Sequence, residues 1–196
     1  MRALIWVAVL FSTVSCAWLR GQNHGLPIVK HANGMREIYV VQTVEVVQNG
    51  TSQSSAKNSV DSLPQTQQFM TLTTIKDGQF LIVGVSALGQ RLFSLQSVAG
   101  EVKVEKSDML PDDVPLLQLL GFIQFVFWPE ALQAAQYVEP WHLRKESGVR
   151  QLLYSKTAMV QANFSSESPQ WNDTIALTYP NAGLTITIKP IEVKFL

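Results

Sequence analysis

Few side chains in this sequence stand at spacings that support bond-making chemistry. Gly84-Val85-Ser86-Ala87-Leu88-Gly89 comes nearest to a nucleophile elbow. Its second glycine falls one residue late, and the flanking pattern is that of a hairpin, without the strand-to-helix turn the elbow needs. An esterase or thioesterase built on Ser86 is therefore a remote alternative. His24, His31 and His142 are too scattered for a metal set. Phosphate-cradling glycine loops and paired redox thiols are absent from the sequence. Asp108, Asp112 and Asp113 precede an apolar stretch, where carboxylates complement the exposed N–H groups at a helix start. Neither a catalytic residue nor a metal nor a cofactor is expected, and the chain is not expected to be an enzyme.

What remains is Cys16, the single cysteine of 196 residues. One thiol cannot close an internal disulfide, so its meaning comes from position. Met1-Arg2 supplies a charge, Ala3 to Phe11 is unbroken apolar, and Ser12 to Ser15 is small and mostly polar. That order is a secretory leader. About 20 apolar residues are needed to cross a bilayer, and this run has roughly half as many. Ser15-Cys16 resembles a bacterial lipobox, in which the thiol is acylated and becomes the new N-terminus, although Thr13 stands where leucine is usual. The expected divisions are a leader at 1–15, a lipidated Cys16 with a flexible tether at 16–34, and a folded domain at 35–196. Two or more acyl chains give stable anchoring. The absence of aspartate after Cys16 resembles the sorting pattern of outer-membrane lipoproteins that face the periplasm.

The domain reads mostly as strands. Glu37 to Val47 is rich in β-branched residues, and the polar segment Gln48 to Gln67 reads as a long loop. Asp77-Gly78, Leu88-Gly89-Gln90 and Ala99-Gly100 then punctuate a four-stranded antiparallel meander. The period changes at Leu116 to Trp128, an apolar helix opened by Pro115 with Asp112 or Asp113 as cap and closed by Pro129, after which PEALQAAQ starts a second helix. Strands return in VRQLLYS, TAMVQANFS, DTIALTYP and LTITIKPIEVKF. Expected from this is an α+β fold: a strongly curved antiparallel sheet with helices on one face, able to enclose an apolar cavity.

Charge adds an exclusion. There are 15 basic and 15 acidic side chains, and loss of Arg2 with the leader leaves 15 − 1 = 14 against 15. Near neutrality argues against a nucleic-acid partner. With 46% hydrophobic residues the chain can build one sizeable core.

SALGQRLFSL at Ser86 to Leu95, FVFWPEALQ at Phe125 to Gln133 and NAGLTITI at Asn181 to Ile188 together resemble the LolB-like outer-membrane lipoproteins, over roughly Ile38 to Val193. They resemble most an uncharacterised branch associated with aryl-polyene lipid pathways. The resemblance implies an incomplete barrel, LolA/LolB-like, closed by two or more short helices around an acyl-binding cavity. Leu119, Phe122, Phe125, Phe127 and Trp128 become cavity or lid candidates. Leu88 and Gly89 fall at the hairpin tip that enters the membrane, with Ala87 where that tip has proline, and Arg91 could meet a head group. The implied partners are the membrane through Cys16, an acyl or polyene lipid or an acylated protein as cargo, and a periplasmic carrier protein, with the chain itself a monomer. The alternative of another class is an anchored scaffold with a filled core.

Overall fold

The structure, a computed structural model, describes residues 25–48, 65–110, 114–134, 136–166 and 169–196. Cys16, the leader, residues 49–64 of the loop expected at 48–67, Asp112 and Asp113 lie outside the described residues, while Gln48 ends one strand and residues 65–67 begin the next.

Five strands come first: β1 (Ile38–Gln48), β2 (Gln65–Lys76), β3 (Gln79–Val85), β4 (Arg91–Val98) and β5 (Glu101–Lys106). Helices α1 (Leu116–Phe127) and α2 (Glu130–Ala134) follow. Five more strands complete the chain: β6 (Trp141–Glu146), β7 (Val149–Tyr154), β8 (Thr157–Asn163), β9 (Ile175–Tyr179) and β10 (Leu184–Phe195). All ten form one antiparallel sheet in the order β5-β4-β3-β2-β1-β10-β9-β8-β7-β6. Two meanders thus join at the central β1–β10 pair, and α1 and α2 carry the chain from one outer edge to the other.

This corrects the expected architecture. The protein is a mostly-β, open ten-stranded sheet, not an α+β incomplete barrel closed by helices: β5 and β6 end the sheet and do not meet. Two helices of 12 and 5 residues occur among the described residues. The edges explain why closure fails. GluValLysValGluLys in β5 and TrpHisLeuArgLysGlu in β6 expose charged side chains, as edge strands do when further pairing is blunted.

Turn chemistry sets the register. Asp77 and Gly78 both have positive φ, 50° and 71°, the primed turn whose twist matches the flanking strands. Gly84 has a different reason to be glycine, because the Phe93 ring of the neighbouring strand lies over the place a Cβ would occupy.

One face of the sheet is buried, through Ile38, Val40 and Val44 of β1, Ile82 of β3, Leu95 of β4, Leu177 of β9 and Ile188 of β10. Helix α1 lies against it. Leu116 and every residue from Leu120 to Phe127 are buried, so the helix is covered nearly all round. The second cover is the segment before β1. Leu26, Val29 and Ala32, placed in the tether by the sequence, are buried in the core. Gly121 allows this, since a Cβ there would press on Leu26.

Candidate functional site

Residues Ser86 to Gln90 between β3 and β4 form a braced tip. Ser86 N donates to Gln90 O and Gly89 N to Ser86 O, both at 2.9 Å. The Ser86 hydroxyl accepts from the Leu88 and Gln90 N–H groups at 3.3 Å. Ser86, the elbow candidate, is thus the brace of a turn. Gly89 takes φ +78°, and nothing lies near the place of its missing Cβ. With the backbone tied in this way Leu88 has no cover and is 87% exposed, the most exposed large hydrophobic residue described. No carboxylate occurs from Ser86 to Arg91.

Strand direction shows what shares this end. The connection after β5 is tied back to it, Ser107 N donating to Leu92 O, and Met109 there is 52% exposed. Arg91 is exposed and contacts Glu105 at 3.5 Å, while Lys103 contacts the other Glu105 oxygen at 2.9 Å. The Lys103 hydrogen bond and charge, helped by Ser94 and Arg91, hold the Glu105 carboxyl below its ordinary range. Such surface pairs order side chains and stabilise little.

Near the tip lies a shallow, open groove of about 510 Å³ between β5 and the start of α1, lined by Val104, Lys106, Val114, Pro115, Leu116, Leu117 and Gln118. Leu117 and Val104 are exposed in it. Helix α1 starts here without a side-chain cap, at Pro115. Its far end, at Trp128, packs edge-on against Phe80 at the opposite end of the sheet. The segment from Leu26 follows the same direction, bonding Val29 to Gln124, His31 O to Trp128 and Ala32 N to Gly78 O. Gly25 therefore enters from the side of the Leu88 end.

The five residues proposed by resemblance as cavity or lid all lie on or beside α1. Phe125 and Trp128 have no exposure, Phe122 and Phe127 are buried, and Leu119 is half-buried. Phe122 meets Tyr179 edge-on and Phe127 stacks on Trp171 at 4.2 Å. Phe122, Phe125, Phe127 and Trp128 belong to the hydrophobic core, and Leu119 packs against it. A second concavity, of about 440 Å³, is an open surface dip lined by Glu139, Pro140, His142, Ser155 and Lys156.

Polar residues that the strand pattern hid fasten α1. Arg150 of β7 is buried and donates from one terminal nitrogen to Phe125 O and Val126 O, each at 2.8 Å. Gln133 donates to Gln124 O, Phe125 O and Trp128 O. A cation at a helix C-terminus meets the negative end of its dipole. Burial lowers the affinity of the Arg150 guanidinium for its proton, and burial raises the Tyr137 phenol above its usual value. Inward parity in ValArgGlnLeu, with Arg150 in step with buried Leu152, was the available signal. Gln42, Thr71 and Thr73 form a polar spot on the covered face, and Gln42 Nε2, Thr71 Oγ1 and Thr73 Oγ1 have no hydrogen-bond partner among the described residues. No group of three or more metal-ligating side chains occurs among the described residues, and no described helix is long and apolar enough to cross a membrane.

Residues 39–192 match the model of a family described as "Protein of unknown function (DUF3261)". The chain belongs to this family. No curated protein matches it. Among solved structures it is similar to a domain assigned to outer membrane lipoprotein sorting from Vibrio parahaemolyticus, at 7% identity and TM-score 0.34, covering 83% of this chain and 86% of that one. It is also similar to a DUF1329 family protein from Desulfovibrio piger ATCC 29098, at 10% identity and TM-score 0.26, covering 84% and 87%. At such scores neither likeness bears on function.

Proposed function

We propose that this protein is a lipoprotein, anchored through Cys16 to the periplasmic face of an outer membrane, that binds an acyl or polyene lipid or an acylated protein and helps insert it into the bilayer. The observation that carries the reading is Leu88, held 87% exposed on a braced tip that contains no carboxylate. An isolated surface leucine needs no explanation. A leucine fixed outward at the end of a hairpin, sharing its end of the sheet with exposed Met109 and Arg91, fits the acyl boundary of a membrane, with the guanidinium left at head-group level.

The tip, the groove and the side from which Gly25 enters share one end of the sheet, so one bilayer can meet all three. A chain of around sixteen methylenes loses about 13 kcal/mol of burial when it passes through water, at about 0.8 kcal/mol each. The groove of Val104, Val114, Leu116 and Leu117 covers part of such a chain next to the surface it enters. This role requires no catalytic residue, only affinities that fall along the route. A periplasmic carrier protein would supply the cargo.

Membership of the α1 aromatics in one hydrophobic core favours the second reading, an anchored scaffold for partner proteins. The two differ in one experiment. Mature, lipidated protein purified in gentle detergent is given a fluorescent acyl probe and mixed with vesicles. The transfer reading predicts uptake, passage of the probe to the vesicles, and loss of uptake in Leu117→Asp with the fold intact. Absence of both uptake and any co-purifying lipid by native mass spectrometry leaves the scaffold.

A further inference from the structure

The second half of β10 is a free edge in the middle of the sheet. Strand β9 pairs with Leu184–Ile188 only, so from Lys189 to Phe195 no strand lies on that side among the described residues. Leu196 N donates to Glu37 O at 3.2 Å, which makes Glu37 and Leu196 a hydrogen-bonded pair. Antiparallel alternation then turns Tyr39–Lys194 and Val41–Glu192 inward to β1, and directs the N–H and C=O of Val193 and Phe195 to the open side. No described backbone group from a turn or loop bonds to them. At the bulge Ile191 has no partner on β1, lying between the Val41–Glu192 and Gln42–Pro190 pairs, and with Pro190 it marks the other limit of this edge.

Its side chains are unusual for an edge. Val193 and Phe195 pair with Val40 and Ile38 and so share the apolar face of the sheet, yet Phe195 is 53% and neighbouring Ile191 58% exposed. On the opposite face Glu192 and Lys194 pair with each other at 2.6 Å. The edges β5 and β6, by contrast, carry runs of exposed charge.

We infer that this edge is an interface between two copies of the chain, paired antiparallel about a two-fold axis through Val193. The sequence IleGluValLysPhe is self-complementary in that register. Val193 faces Val193 of the second copy in a hydrogen-bonded pair, Ile191 faces Phe195, and Glu192 faces Lys194. Each apolar side chain meets an apolar one on the covered face, and each charge meets its opposite on the other, the cross-strand pairs that stabilise sheets. Such an interface is isologous and closes at two subunits. It replaces the monomer expected from the sequence, and it lies at the end of the sheet away from Leu88, so pairing leaves the tip free.

The test uses the full mature chain in detergent or nanodiscs. In Val193→Cys the two thiols face each other at about 5.5 Å between Cα atoms, within disulfide range. The expected result is rapid disulfide dimer formation in Val193→Cys, and a mixed dimer from Ile191→Cys with Phe195→Cys but none from Ile191→Cys alone. Val138→Cys, exposed elsewhere, sets the collisional background. In sedimentation, Glu192→Lys raises the concentration at half-dimer by about tenfold or more through two like-charge pairs, and Glu192→Lys/Lys194→Glu restores it. A chain that stays monomeric at every concentration, or Val193→Cys crosslinking no faster than Val138→Cys, overturns the inference, as does a double charge swap that fails to recover dimer while remaining folded.

Discussion

Replacing Leu88 with alanine takes three carbons from the end of the β3–β4 hairpin and leaves its hydrogen bonds untouched, because the brace runs through the Ser86 hydroxyl and backbone. Leu88 is 87% exposed, so almost none of its apolar area is buried within the protein and nearly all remains for a bilayer to cover. At about 0.8 kcal/mol per carbon group the loss on membrane contact is about 2 kcal/mol. That corresponds to about a 30-fold weaker partition onto vesicles. Folding stability should change by less than about 0.5 kcal/mol, as for surface substitutions away from special features. A chain beginning at Ala17 keeps every described residue and lacks the thiol, so sedimentation with vesicles then reads the tip without an anchor. Equal partition of parent and Leu88→Ala would refute the reasoning. A matching drop in stability would refute it differently, by placing Leu88 in the fold and not on its outside.

Gly84→Ala should destabilise the protein by about 1–3 kcal/mol, the usual cost of overpacking, because the new methyl would overlap the Phe93 ring; urea unfolding measures it. Arg150→Met removes the donor from Phe125 O and Val126 O in a buried site and should cost about 3 kcal/mol, with α1 exchanging its amide protons sooner. Burial raises the Tyr137 phenol above its ordinary value of 10.0, so the native state keeps a proton that the unfolded chain gives up. Stability from this source is full below about pH 10 and falls as pH rises beyond it. Tyr137→Phe should flatten that alkaline decline while leaving neutral stability nearly unchanged; Tyr179, shifted the same way by burial, retains the remainder.

Local signals were legible in the sequence wherever they were strong. Asp77-Gly78 and Ala99-Gly100 announced their hairpins, and Pro129 ended α1 one residue after its cap at Trp128. β6 was missed because TrpHisLeuArgLysGlu alternates only over Trp141 and Leu143 before it runs into three charged residues. The packing of Leu26, Val29 and Ala32 was hidden for another reason: they lie in a segment that is neither helix nor strand, and their burial depends on Gly121, nearly a hundred residues away. Whether a strongly twisted sheet closes is likewise non-local, decided by what two distant edges offer each other. Of the candidate site, the tip was readable because a turn flanked by alternating strands must project a side chain. The groove needed β5 and α1 side by side, and Arg150 sat unremarked in an apolar run where its inward parity was the only clue.

The claim that the Leu88 end meets the bilayer is tested most directly by placing one environment-sensitive fluorophore there. In the chain that begins at Ala17, Leu88→Cys labelled with such a dye should shift to the blue on anionic vesicles and become quenched by lipids carrying a nitroxide on the acyl chain. The same dye at Val98, exposed at the opposite end of the sheet, should keep its aqueous spectrum. An aqueous spectrum at position 88 in the presence of saturating vesicles would contradict the account.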